Sequence, residues 1–214
     1  MKYDVIPVTR YEQNCSILHC EETGAAVVID PGGDIGTILD LLEIAELTCE
    51  VILVTHGHPD HAGGAAALAE STGARIEGPH RSDAHVVAKL GNNLHGLPGK
   101  SYEPARWLEH GDVVTFGRER LEVLHCPGHC KGHVAYFHRG ARVAFVGDIL
   151  FRGAIGEWRH GDGDLPTLLD SIFNRLLALG DDVRFVPGHG EESTFGHERT
   201  HNPFLQKRPA APSL

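Results

Sequence analysis

Residues 53–64, LVTHGHPDHAGG, set His56, His58, Asp60 and His61 directly behind a run of apolar residues. Gly57 and Pro59 block helix formation there. In an extended segment, side chains at i, i+2 and i+4 project to one side, so His56, His58 and Asp60 can converge. His61 opens the following helix, and its ring can turn the other way. Imidazole nitrogens and a carboxylate at this spacing suit Zn²⁺, iron or manganese. Such a loop can serve two ions, with His56 and His58 on one and Asp60 and His61 on the other.

Three further segments end apolar runs on ligand-type residues. CPGHCKGH (126–133) places His129 in a glycine-flanked turn, FVGDILF (145–151) leads to Asp148, and FVPGHGEEST (185–194) to His189. Loops at strand ends are where a rigid scaffold carries function. His56, His58, His61, His129 and His189 with Asp60 and Asp148 make five histidines and two aspartates, and a metal site is the expectation.

The elements that must position them read as follows. YDVIPV, CSILH and AAVVID are short strands in the first 30 residues, and 36–46 repeats apolar residues at helical spacing with Asp34 as its N-cap. EVILVT (50–55) is a buried strand, and 62–72 returns to helix. A strand–helix unit (ARIEG, then SDAHVVAKL) and a Gly/Pro-rich loop at 91–104 follow. VVTF, RLEVLHC, HVAYFH and ARVAFVG are strands. A helix over 164–180, the strand VRFVP and a short helix from about 193 complete the chain. This order predicts two similar halves, each a β-sheet with helices outside, packed sheet to sheet.

The chain has 214 residues with 41% hydrophobic composition, enough for one substantial core. A single domain over 1–206 is expected, with 207–214 a frayed polar tail. A net charge of −10 argues against a nucleic-acid groove, which needs clustered Lys and Arg. No apolar run approaches the roughly 20 residues of a membrane span, and the N-terminus lacks the apolar core of a signal peptide. Five cysteines with no CxxC pair predict free thiols and a cytoplasmic setting. Of the 16 histidines, His80, His85 and His138 are expected on the surface.

These motifs, in this order, resemble the metallo-β-lactamase-fold superfamily, and within it the glyoxalase II-like (hydroxyacylglutathione hydrolase-like) branch. THGHPDH is similar to its THxHxDH loop, PGHCKGH to PGHTxGH with Cys130 where threonine is usual, VGDILF to its GD-(x)-LF segment, and VPGHG with ERTHNPFL to its ending; QNCSIL and VVIDPGG also fit. The resemblance spans residues 5 to about 205. It implies a four-layer αβ/βα sandwich, an α/β fold of two packed mixed sheets with helices outside. It also implies two divalent ions, zinc first and iron or manganese next. His56, His58 and His129 would hold one ion, Asp60, His61 and His189 the other, and Asp148 would bridge. His133 would be a buried hydrogen-bonding histidine, Thr55 a support, and Cys126 and Cys130 packing residues.

Chemistry follows from the implied centre. Paired cations make hydroxide available at neutral pH, with Asp60 orienting it and taking its proton. Neither a Ser or Cys nucleophile nor a GxSxG elbow is needed. The expected enzyme is a hydrolase of small-molecule acyl thioesters, S-D-lactoylglutathione-like or other, with no nucleic-acid or membrane partner. A lactonase-type hydrolase and a persulfide-dioxygenase-like mononuclear iron oxidoreductase are the alternatives. The resemblance implies a C-terminal helical domain in the family's longer members, which is not expected here, and GAIGEWRHGDGD stands where a GxGR/K-type stretch is usual. Arg152 and Arg159 are the candidate carboxylate anchors that remain.

Overall fold

Strands buried on both faces carry no polar alternation, and the inner strands of this chain read that way. In the computed structural model, which describes residues 1–93 and 96–206, β1 (Lys2–Val8), β2 (Gln13–His19), β3 (Ala25–Ile29), β4 (Thr48–Leu53) and β5 (Arg75–Glu77) form one sheet in that order. β1 to β3 pair antiparallel, and β3 to β5 pair parallel. The second sheet contains β6 (Val113–Phe116), β7 (Glu119–His125), β8 (Val134–His138), β9 (Val143–Gly147), β12 (Arg184–Pro187) and β13 (Ser193–Thr194), in the order β13-β12-β9-β8-β7-β6. Between β9 and β12 a small hairpin pairs β10 (Leu150–Phe151) with β11 (Ala154–Ile155). The expected frayed tail at 207–214 lies outside the described residues.

Alternate residues of each inner strand divide between two cores. Val27, Ile29, Val51 and Leu53 meet Val134, Tyr136, Val143 and Phe145 between the sheets. Ala26, Val28 and Ile52 face outward onto Ile38, Leu42 and Leu68 of α1 (Ile35–Ile44) and α3 (Ala65–Thr72). Ala135, Phe137, Ala144 and Val146 pack on Leu168, Leu169 and Ile172, in and just after α5 (Leu165–Ser171). The result is the four-layer αβ/βα sandwich. Each large side chain so buried is worth about 1.5–3 kcal/mol.

Several local expectations change. Asp34 does not cap α1: its φ of 51° is left-handed and its side chain makes no cap bond. Its carboxylate instead accepts from the Thr9 backbone N–H at 2.7 Å. The helix expected over 62–72 splits into α2 (Pro59–Ala62) and α3 at Gly63 and Gly64. A Cβ on Gly63 would lie 2.4 Å from the Pro59 carbonyl oxygen, and one on Gly64 2.5 Å from that of Pro31. The 82–90 helix shrinks to a 3₁₀ turn (Arg81–Asp83) and α4 (Ala84–Val87). The 164–180 helix starts on its Asp164 cap but passes from α5 through one π turn into a 3₁₀ turn. The last helix is α6 (Phe195–His201).

His138 is buried, with Nε2 2.9 Å from Glu119 Oε2, rather than on the surface. His80 is half-buried: it caps the 3₁₀ turn and stacks on His125. His85 is exposed as expected. Among the described residues no helix is long and apolar enough to cross a membrane.

Candidate metal centre

β3 and β4 run parallel, as do β9 and β12, and β7 lies two antiparallel steps from β9 and therefore runs with it. The loops that leave their C-terminal ends meet at one edge of the sandwich. All seven candidates, His56, His58, Asp60, His61, His129, Asp148 and His189, come together there. Three groups have ligand atoms within 4.8 Å of one another: His56/His58/His129, Asp60/His61/His189 and, linking them, His56/His61/Asp148. His58 Nδ1 stands 2.9 Å from His56 Nε2 and 3.0 Å from His129 Nε2. His189 Nε2 lies 3.2 Å from Asp60 Oδ2 and 3.9 Å from Asp148 Oδ2.

The rings of His56, His61, His129 and His189 are each aimed by their other nitrogen, which fixes the tautomer. Asp30, at the end of β3, is the organiser: it accepts from Thr55 N and Thr55 Oγ1, both at 2.6 Å, and pairs with His61 Nδ1 at 2.8 Å. Thr55 Oγ1 in turn meets His56 Nδ1 at 3.0 Å. His129 Nδ1 donates to the Glu157 carbonyl at 2.7 Å, and His189 Nδ1 to that of Tyr11 at 3.1 Å.

His133 stacks on His56 with ring centroids 4.5 Å apart. Its Nε2 accepts from the Asp148 backbone N–H at 3.0 Å, and its Nδ1 donates to the Val134 carbonyl. It is the buried hydrogen-bonding histidine the sequence suggests. Asn14 ties the two sheets at the His189 loop, donating from Nδ2 to the carbonyls of Pro187 (3.0 Å) and Gly190 (2.9 Å). Buried Glu198 and Asn202 hold the β10–β11 hairpin beside Asp148: Glu198 Oε2 accepts from Gly153 N, and Asn202 Nδ2 donates to the Ala154 carbonyl.

Burial, then repulsion among neighbouring histidines, holds His56 well below its ordinary range. Burial likewise brings His58 down to about 4, and it is also the main force keeping His133 neutral. Burial opposes the charge on His61, but Asp148 and Asp30 overcome it and raise that ring well above its usual value. The same contacts outweigh burial at Asp148 and hold its carboxyl ionised. Asp60 is lowered despite burial by its hydrogen bond to His189 and the charge of His61.

The donor set fits cations. Two buried polar atoms, His61 Nε2 and Asp148 Oδ1, have no hydrogen-bond partner although only 3.3 Å apart, and buried orphans of this kind call for a missing partner. Gly188 leaves the space they need: a Cβ there would sit 2.0 Å from Asp148 Oδ1 and 2.7 Å from His61 Cε1.

A cleft of about 570 Å³ opens over His58, Asp60 and His129, walled by Tyr11, Pro59, Val86, Lys89 and Leu97 on one side and by Glu157 and His160–Asp162 on the other. Neither expected arginine reaches it. Arg152 pairs with Glu191, and Arg159 lies over the Trp158 ring and pairs with Glu157. The cysteines need one correction. Cys126 is a buried packing residue, but Cys130 also donates its thiol to Asp83 Oδ2 at 3.1 Å.

Sequence reasoning passed over Asp30 and Asp83. A carboxylate ending the all-apolar strand AAVVI was the available signal for Asp30. Asp83 sits in a polar turn and offered none.

The family model for the metallo-beta-lactamase superfamily matches residues 8–189. The hydroxyacylglutathione hydrolase GloC of Haemophilus influenzae is 38% identical over 97% of this chain and 100% of its own. The BLEG-1 B3 metallo-beta-lactamase superposes with a TM-score of 0.89 at 33% identity, over 96% of this chain and all of that one. TTHA1623, solved in a di-iron-bound form, gives 0.84 at 35% identity over 94% and 100%. With the motifs, the sandwich and the histidine–aspartate cluster, these similarities make the chain a metallo-hydrolase of the metallo-β-lactamase superfamily, in its glyoxalase II-like branch.

Proposed function

We propose that the protein hydrolyses acyl thioesters of the glyoxalase II type at a dinuclear centre. His56, His58 and His129 would hold one ion and Asp60, His61 and His189 the other, with the Asp148 carboxylate within reach of both groups. The observation that carries this reading is the pair of three-donor groups linked through buried, unpartnered His61 Nε2 and Asp148 Oδ1. Zinc suits the nitrogen-rich set; iron stands beside it because a relative at 35% identity was solved with two irons. When bound, such a pair supplies Lewis acidity that acidifies water and polarises a carbonyl.

The chain's own residues do the rest. Asp60 reaches the cleft with its Oδ2 held by His189, and its lowered pKa leaves it ionised, ready to accept the proton of the attacking water. Pro59, Val86 and Leu97 give the cleft an apolar wall against which an acyl or thiol arm displaces water. A thiolate is a good leaving group, so the cleft needs no dedicated general acid to protonate the sulfur as the C–S bond breaks. His189 beside Asp60 and His61 completes a second donor set, which favours two ions over one.

Metal analysis with a substrate panel tests the proposal. Two ions per chain are expected, with turnover of glutathione, coenzyme A or small acyl thioesters exceeding that of lactones and β-lactams. His58→Ala is expected to abolish it in a protein that stays folded. One iron per chain with sulfur-dependent oxygen uptake, or undiminished turnover in His58→Ala, refutes it.

A further inference from the structure

We infer that Asp83 is the positioning residue that sets the gap between the two histidine loops, and through it the geometry of the His56/His58/His129 group; the inference rests on the dinuclear reading above. Asp83 Oδ2 accepts from the Gly57 backbone N–H at 3.0 Å, at the residue between His56 and His58. Oδ1 accepts from Gly132 N at 2.6 Å, and Oδ2 also takes the Cys130 thiol at 3.1 Å, so both of these contacts belong to the loop that carries His129. One carboxylate therefore gathers donors from the loop after β4 and from the loop between β7 and β8.

The side chain is fully buried, and among the described residues it has no cationic partner within ion-pair distance. Burying an unpaired carboxylate is costly unless hydrogen bonds fill its lone pairs. Here they are filled entirely by the two loops. The fit is close: a Cβ on Gly132 would lie 2.5 Å from Asp83 Cγ, so only glycine admits the approach. Asp83 also directly precedes α4, whose Val86 walls the cleft.

A carboxylate is acceptor-only, whereas an amide carries two donors. Asp83→Asn keeps the size but turns an N–H toward one of the three donors. A role confined to packing would tolerate that change; a role in spacing the loops would not. Moreover, Asp83 touches neither Asp60, His61 nor His189, so the effect falls on one ion.

The experiment is a zinc titration of metal-free wild type, Asp83→Asn, Asp83→Ala and Cys130→Ala against a chromogenic chelator, with circular dichroism of each metal-free protein. Asp83→Asn is expected to remain folded and to bind one zinc as wild type does, with the other weakened by about 10–100-fold, the range typical of outer supports of a metal site. Asp83→Ala does at least as much. Cys130→Ala, which keeps both backbone donors, shifts the same step by less. The inference is overturned if both binding steps of Asp83→Asn match wild type, or if both weaken equally. It is also overturned if neither Asp83 variant folds where metal-free wild type does, since the carboxylate then serves the fold. A wild type that does not bind two zinc ions refutes the dinuclear reading itself, before any variant is compared.

Discussion

Removing the Asp30 carboxylate tests whether one buried acceptor organises the centre. It serves three donors: Thr55 N, Thr55 Oγ1 and His61 Nδ1. A buried donor left unpaired costs about 1–3 kcal/mol. Asp30→Asn keeps one acceptor oxygen for Thr55 N, and Thr55 Oγ1 can still use His56 Nδ1. The net loss is then mainly at His61, about 2–3 kcal/mol. Asp30→Ala orphans more, and it places alanine at a φ of 53°. That backbone region adds about 1–2 kcal/mol for a residue without a short polar side chain.

The alanine total, with Thr55 N also orphaned, is about 4–8 kcal/mol, a large part of the 5–15 kcal/mol typical of a domain. For a chain of this size each kcal/mol moves Tm by about 2–4 °C, so a drop of about 8–32 °C is expected for alanine and about 4–12 °C for asparagine. The assay is thermal melting by circular dichroism with a chelator present, which keeps metal stabilisation out of the comparison. An alanine variant melting within about 2 °C of wild type refutes the reasoning, because two orphaned buried donors and a left-handed alanine cannot cost so little.

The metal-free protein should lose stability as pH falls from about 6.5 to 4. His56, His58 and His133 are held neutral in the fold but protonate when unfolded, so unfolding takes up protons and stability rises with pH in that window. His61 and His189, which are raised, oppose this slope only near the top of the window, where they begin to lose protons when unfolded, and add none in its lower part. Urea midpoints across the window check the sign, and a flat profile contradicts it. Gly188→Ala should leave the backbone unstrained yet push its methyl into Asp148 Oδ1, so chelator competition should show metal binding collapsing while the fold persists. Lys89 is the only lysine or arginine among the described residues lining the cleft. Lys89→Ala should lower kcat/KM for thioesters of anionic thiols more than for those of neutral thiols, and an equal loss on both denies it a role in recognition.

The seven residues that converge were legible because each is a histidine or aspartate close behind an apolar run, and such local juxtaposition survives in one dimension. The sandwich was legible too, since β-branched runs and helical repeats alternate in two similar halves. What stayed hidden depends on partners far along the chain. Asp83 looks like any turn residue until Gly57 and Gly132 close on it. Asp34 has the composition of a cap, but its backbone turned left-handed and its carboxylate went to Thr9. The GEWRHGDGD segment misled for another reason. Glu157 serves the centre through its carbonyl, on His129 Nδ1, while its side chain accepts from its own loop's backbone. A contribution made by the main chain leaves no mark on residue identity.

The donors are unequally shared between the two sheets. The loop after β4 supplies His56, His58, Asp60 and His61, while His129, Asp148 and His189 follow strands of the other sheet, with Asn14 fastening the last of them. During synthesis, the first four donors emerge with none of their counterparts. Firm capture of the second ion by the proposed Asp60, His61 and His189 set therefore waits until β12 has been laid against β9. Loading of that ion would in this sense be a checkpoint on the second sheet: a nascent or truncated product without His189 would hold its second cation loosely.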